Sequence, residues 1–419
     1  MNRAVLALLL CASPSVAAED LAARAKRIQR EAIVIDTHLD APDQLASKWA
    51  DIAQRGATLH FDLPRAKEGG LSAPFFSIYV SGSYAETGGA ARRALELIDL
   101  THRVVDAHAA DMVMASSVAE IRAAKQAGKM AVLMGIEGGH ALEDSLGVLR
   151  QMYRAGVRYV TLTHTNTNHW ADSSGPFYLP DFDPKKYALH GGLSAFGRAV
   201  VKEMNRLGMI VDISHTSDAT VDHVLAISRA PVMASHSACR ALANMPRNLT
   251  DDQIRRIGEK GGLVMINFGS VFVGQETWDA FEAMKKRLAP DVAKLRAQHK
   301  DPRAFARALF ALYDKQPKLP RSTLARLVDH VERVIKIAGV GAVGLGTDFD
   351  GIEDTPIGMD DVAMLPRLTE ELLRRGHSEA DVKKVLGENF LAFLTRVEAT
   401  KAALAREPPG AAVYQPPVP

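Results

Sequence analysis

The sequence predicts an α/β fold: a (β/α)8 TIM barrel with extra C-terminal helices and an insertion after the seventh strand. Three observations carry this prediction. Short apolar, β-rich runs recur eight times, segments of helical periodicity lie between them, and six of the eight runs deliver a His or a carboxylate at their C-terminal ends. Strands that alternate with helices pair in parallel, and eight such units are the number at which the sheet closes on itself. In a closed barrel those C-terminal ends ring one mouth, where barrel active sites are built.

Taken in chain order, residues 1–18 read as a secretory signal peptide. Arg3 supplies the charge, Ala4–Ala12 the short apolar run, and Ser15-Val16-Ala17-Ala18 the small residues for cleavage. No later stretch reaches the roughly 18 apolar residues of a spanning helix, so an exported, periplasmic or secreted protein with no membrane span is expected. Removal of the leader takes Cys11 with it. Cys239 is then alone, and no intrachain disulfide is available.

The eight strand runs are Ala32–Asp36, Phe75–Val80, Ala131–Ile136, Arg158–Thr163, Met209–Ser214, Pro231–Ser235, Gly262–Phe268 and Ala342–Gly346. Between them Ala90–His108, Ser117–Gly128, Ser145–Gly156, Ser194–Gly208, Asp218–Ser228 and Asp251–Gly261 carry helical spacing. Residues 269–321 break the rhythm: they are charged and helix-prone and carry no chemistry of their own, which fits a lid or a surface excursion equally. A helix over 322–339 leads into the eighth strand, and helical patterns at 359–376 and 379–400 follow it. The proline-rich tail, 407–419, reads as disordered. Residues 19–406 are therefore expected to form one catalytic domain.

Composition narrows the function. Fifty-one Lys and Arg against 49 Asp and Glu leave a net charge of +2, and no basic block stands out, which excludes a nucleic-acid binder. With 47 % hydrophobic and 24 % charged residues the chain is ordinary globular protein, not a disordered one.

The strand ends are the informative positions. They read Asp36-Thr37-His38-Leu39-Asp40, Glu137-Gly138-Gly139-His140, Thr163-His164, Ser214-His215, Ser235-His236 and Gly346-Thr347-Asp348-Phe349-Asp350. One His at a strand end is more often a hydrogen-bonded core residue than a ligand. Four of the 14 His (His38, His164, His215 and His236) sit at such ends together with acids, which independent accidents do not explain. His140 and His169 lie a few residues into loops and are ambiguous; the remaining His fall on helices or loops and read as structural. Imidazole and carboxylate are the donors that hold Zn²⁺ or similar ions, and no cysteine joins the cluster, which disfavours a structural zinc site. Two ions 3.5–4 Å apart need a bridging anion. On that basis His38 and Asp40, on one face of the first strand, hold one ion, His215 and His236 the other, and Glu137 lies between them.

These motifs resemble the membrane dipeptidase (renal dipeptidase, M19) group of metal-dependent amidohydrolase-like enzymes. The resemblance spans nearly the whole chain beyond the leader, through Ile35–Asp40, Asp62-Leu63-Pro64-Arg65, Gly135–His140, Leu162–Thr165, Trp170–Ser173, Met204–Gly208, Asp212–His215, Ser235-His236-Ser237, Arg247-Asn248, Asp348–Gly351 and Gly387–Phe390. It implies two zinc ions on His38, Asp40, His215 and His236 with Glu137 bridging, and hydrolysis of dipeptides through a hydroxide between the metals. It further implies that His164 polarises the scissile carbonyl, Arg247 clamps the substrate carboxylate, and Asp348 handles protons and the amino end. A D-residue on the C-terminal side and a homodimer are part of the same implication. Two rival readings are a related barrel amidohydrolase acting on a cyclic amide or an N-acyl amino acid, and a non-enzymatic exported protein or a relative recruited to modify a secreted peptide metabolite. Against the first, many such enzymes carry His-x-His on the first strand and a carboxylated Lys after the fourth, where this chain has His38-Leu39-Asp40 and His164.

Overall fold

A computed structural model describes residues 19–416; the segment read as a signal peptide lies outside the described residues. Nine parallel strands form: β1 Val34–Leu39, β2 Leu71–Tyr79, β3 Met112–Met114, β4 Met130–Glu137, β5 Val157–Thr161, β6 Ile210–Asp212, β7 Met233–Ser237, β8 Leu263–Ile266 and β9 Val343–Leu345. Eight of them close in the order β1-β2-β4-β5-β6-β7-β8-β9, sealed by the β9–β1 pair. The barrel expected from the sequence is therefore present. β3 pairs only with the start of β4, at Met112↔Met130, and adds a short rib to the barrel. Three residues are too few to register as a sequence run.

Side-chain alternation sorts each strand into two cores. Ile33, Ile35, Ala73, Phe75, Ala131, Leu133 and Tyr159 belong to one cluster, while Val34, Phe76, Ile78, Val132, Met134 and Val160 pack with the surrounding helices. The first cluster also takes Phe390, Phe393, Leu394 and Val397 from the helix Asn389–Ala403. A Cβ on Gly387, in the turn Lys384–Glu388 that leads into this helix, would fall 2.0 Å from the Ile33 carbonyl, so the turn abuts the start of β1 and the helix plugs the N-terminal end. Polar strand ends are left only at the opposite mouth, where Tyr79 pairs with Glu137 and Glu137 with Thr161 at one level. Ser117, Ser145, Ser194, Ser217, Thr250 and Thr323 each accept a hydrogen bond from the first turn of the helix they open, which marks the loop-to-helix switches.

The insertion folds into helices Ser270–Val273, Gln275–Gln298 and Pro302–Asp314. Its second and third helices pack on each other through Met284, Leu288, Val292, Leu309 and Tyr313. Of the two expectations, the structure selects the cover: Phe281 and Tyr313 line the same cavity as Glu137 and Asp348. Residues 407–416 have no helix or strand, yet over this length they are not a free tail. The Gly410 amide donates to Glu203 (2.9 Å), Arg150 donates to the Gly410 carbonyl (3.2 Å), and the Tyr414 ring stacks on His169 at 5.4 Å. A buried carboxylate and an exposed ring offer the tail partners that its composition does not announce. Among the described residues no helix is long and apolar enough to cross a membrane.

Candidate metal centre

The mouth is laced by two buried carboxylates that hold the strand ends in place. Asp36 accepts from the Thr347 amide (2.9 Å) and hydroxyl (2.5 Å) and from the His38 amide (3.2 Å), joining β1 to the segment after β9. Burial pushes its carboxyl up to about 6, against the pull of the bonds from Thr347 and His38. Asp212 accepts from the Thr161 hydroxyl (2.5 Å), the Ser214 amide (3.1 Å) and the Ser235 amide and hydroxyl (2.8 and 2.6 Å), joining β5, β6 and β7. His215, Asp348 and Asp350 have left-handed backbones, with φ of 64°, 63° and 69°. A residue with a Cβ holds that conformation at a cost of about 1–3 kcal/mol. Here it turns His215 and Asp348 back over the strand ends.

Glu137, the last residue of β4, is the hub. Its Oε1 lies 2.9 Å from His215 Nε2, 3.3 Å from His236 Nε2 and 3.8 Å from His164 Nε2, while Oε2 faces His38 Nε2 at 3.7 Å. His38 Nε2 is also 3.4 Å from Asp40 Oδ2. Three overlapping triads result: His38–Glu137–His236, Glu137–His164–His215 and His38–Asp40–Asp348. His236 touches both halves of this cage: it faces the same Glu137 oxygen as His215, and its ring stacks on His38 at 3.8 Å.

Outer partners aim the rings. The Tyr159 hydroxyl is 2.7 Å from His38 Nδ1, the Ser235 hydroxyl 2.7 Å from His236 Nδ1, and Asn267 donates to Asp348 Oδ2 at 2.7 Å. His38 Nε2 and Asp40 Oδ1 are buried without a hydrogen-bond partner. His215 Nε2 and His236 Nε2 face each other across 3.0 Å, an arrangement in which bare lone pairs repel and a shared cation is favoured. Burial, together with Arg247 and neighbouring His, holds both imidazoles well below their ordinary range, so they stay neutral donors. Burial alone would raise Glu137, but His164, His38 and the bonds from His215 and His236 hold it well below the usual carboxylate range. Burial pushes Asp348 up to about 8, opposed by His38 and reinforced by Asp40 and Glu137. A buried set of imidazoles and carboxylates with no cysteine fits a divalent cation such as zinc.

All eight residues singled out in the sequence converge here. Asp40, Glu137, His164, His215 and Asp348 line a cavity of about 360 Å³; His38, His236 and Arg247 lie beneath its wall. Arg247 is 3 % exposed. It donates to the Ser237 hydroxyl (2.8 Å) and the His236 carbonyl (2.9 Å), and its Nε has no partner. Burial brings its guanidinium down to about 10 despite the opposing charges of Asp348 and Glu137. The ambiguous histidines stay outside the cluster. His140 bonds the Ser81 carbonyl (3.1 Å), with burial holding it down to about 4, and His169 pairs with Asp144 at 2.6 Å. His60, read as structural, clasps Asp350 at the cavity edge through its amide (2.6 Å) and ring (2.9 Å). Sequence reasoning passed over Tyr159 and Asn267, which look like ordinary strand residues. Their one signal is a polar group within a strand run or immediately after it.

Residues 22–408 match the family model described as membrane dipeptidase, peptidase family M19. The chain belongs to this family. It is thereby a metallo-dipeptidase by descent, with the His and carboxylate cage at the expected mouth. A relative called dipeptidase verJ, from Clonostachys rogersoniana, is 34 % identical over 91 % of this chain and 88 % of its own. The solved structure of the probable dipeptidase PvdM from Pseudomonas aeruginosa superposes with a TM-score of 0.76 at 26 % identity, covering 91 % of this chain and 99 % of that one. A metallo peptidase from Rhodobacter sphaeroides, solved with a phosphinate mimic of the dipeptide L-Ala-D-Ala, gives 0.69 at 25 % identity over 87 % and 99 %.

Proposed function

We propose that this family member is a zinc-dependent dipeptidase that binds two zinc ions, with His38 and Asp40 on one, His215 and His236 on the other, and Glu137 bridging them. The observation that carries the reading is the placement of Glu137, whose two oxygens face different histidines. Bound there, zinc would supply a water whose pKa is lowered to about 7 and a Lewis acid for the carbonyl. The chain's own residues do the rest. His164, partly exposed on the cavity, donates a hydrogen bond to the oxyanion that develops on the scissile carbonyl. Asp348, held by Asn267, accepts the proton of the attacking water and delivers it to the leaving amine. Arg247 is the carboxylate clamp, a task that suits a planar guanidinium.

The mimic of L-Ala-D-Ala held by the Rhodobacter relative supports tolerance of a D-residue on the C-terminal side. Export after removal of residues 1–18, and a homodimer, belong to the same reading; N-terminal sequencing and sedimentation test them. The central experiment is metal content by elemental analysis, paired with cleavage of L,L and L,D dipeptides before and after chelation. Near two zinc per chain with chelator-sensitive cleavage is expected. Two metals without dipeptide cleavage would move the activity to another amide, and a protein that binds no metal would overturn the proposal.

A further inference from the structure

We propose that the insertion and the loop after β5 build an aromatic chamber that selects dipeptides with a large apolar side chain on the C-terminal residue. The inference deepens the dipeptidase reading and rests on it. The cavity above Glu137, His164, His215 and Asp348 continues outward between Phe177 and Tyr178 of the loop and Phe281, Met284, Phe310 and Tyr313 of the insertion. The rings form a connected wall: Phe177 lies 6.4 Å from Phe281, Phe281 6.1 Å from Tyr313, and Tyr178 5.5 Å from Phe310, measured between centroids.

The wall is fixed in place. Lys285, buried in the insertion, donates to the Phe177 carbonyl, and the Tyr313 hydroxyl donates to the Tyr178 carbonyl at 2.7 Å. Each loop aromatic is thus pinned by its backbone while its ring faces the cavity. Phe310 remains 41 % exposed, so part of this apolar surface is wet until something covers it. A preformed apolar wall gains affinity from a bulky group without an ordering penalty.

The position of the wall decides which end of the substrate it meets. Phe272 lines the cavity 6.0 Å from Phe177, and the guanidinium of Arg247 lies 5.7 Å from the Phe272 ring. The aromatic side therefore starts beside the carboxylate clamp. The β1 side of the mouth is acidic, with Asp40 and Asp43 lining the cavity beside Asp348. A dipeptide with its carboxylate toward Arg247 and its amine toward Asp348 turns its C-terminal side chain to the rings.

The test compares kcat/KM of the zinc-loaded full chain for Ala-Ala, Ala-Phe and Phe-Ala. Ala-Phe is expected to exceed both others by about tenfold or more, the discrimination an apolar pocket supplies. F310S, at an exposed position that leaves the fold intact, and F281A should each cut the ratio of Ala-Phe to Ala-Ala by about the same factor, through KM. Turnover of Ala-Ala with a flat panel, a preference for Phe-Ala, or an unchanged ratio in both variants would overturn the chamber and leave the dipeptidase reading standing. No turnover of any of the three would overturn that reading and the chamber together.

Discussion

Glu137 concentrates the chemistry of the site in one side chain. Replacing it by Gln keeps the shape and removes the charge that offsets two cations, so at least one metal and about a hundredfold or more in kcat/KM should be lost; full activity with two bound ions would refute the bridge. Asp348 falls in a triad with His38 and Asp40, within reach of a metal, yet its second oxygen is taken by Asn267. Asp348→Asn is expected to lower kcat by about 10²–10⁴-fold with metal content unchanged. Loss of metal instead would make it a ligand. Tyr159 acts through His38: its hydroxyl fixes the ring so that Nε2 points at Asp40 and Glu137. Tyr159→Phe should weaken zinc binding about 10–100-fold in a competition titration against a chelating dye. The candidate ligands were legible because His and Asp are out of place at the end of an apolar run. Tyr159 was not, since a tyrosine in a strand is unremarkable until the ring it bonds is known.

At the level of elements, site precision depends on how closely the strands approach. Gly135 on β4 has no room for a methyl group, since its Cβ would fall 2.0 Å from Tyr159 Cζ. Gly135→Ala must therefore push Tyr159 off His38. A loss of about 1–3 kcal/mol in denaturant unfolding is expected, together with weakened zinc binding; unchanged metal affinity would show that the ring relaxes elsewhere. The eight barrel strands could be read from sequence because their runs are apolar and bounded by helical spacing. β3 could not, because three residues, Met112 to Met114, carry no periodicity. The insertion was legible as a break in rhythm. Its role as a cover was not, because that depends on Lys285 and Tyr313 meeting carbonyls more than a hundred residues earlier in the chain. The tail misled for a related reason: prolines argue against secondary structure, but not against lying on Glu203 and His169.

For the molecule as a whole, the fold places its unfavourable electrostatics in one spot. Asp40, Glu137 and Asp348 are buried together at the open end of a barrel whose other end is plugged by Phe390 and Phe393. Cations that bind the folded cage and not the unfolded chain stabilise by mass action, about 2.7 kcal/mol at a hundredfold excess over Kd. Chelation should therefore lower Tm by a few degrees and zinc should restore it; an unchanged melting curve would mean the cage holds no ion with useful affinity. From its residues alone the sequence determined the alternation of strands and helices, the ring of His and carboxylates at the strand ends, and the family those motifs resemble. All of these are local patterns, set by side-chain period and by residue type. Tertiary structure alone decided which oxygen of Glu137 faces which histidine, that Arg247 lies beneath the cavity wall, and that the insertion arches over the mouth. Those are distances between segments far apart in the chain, and they exist only once barrel closure has brought the strand ends to one level.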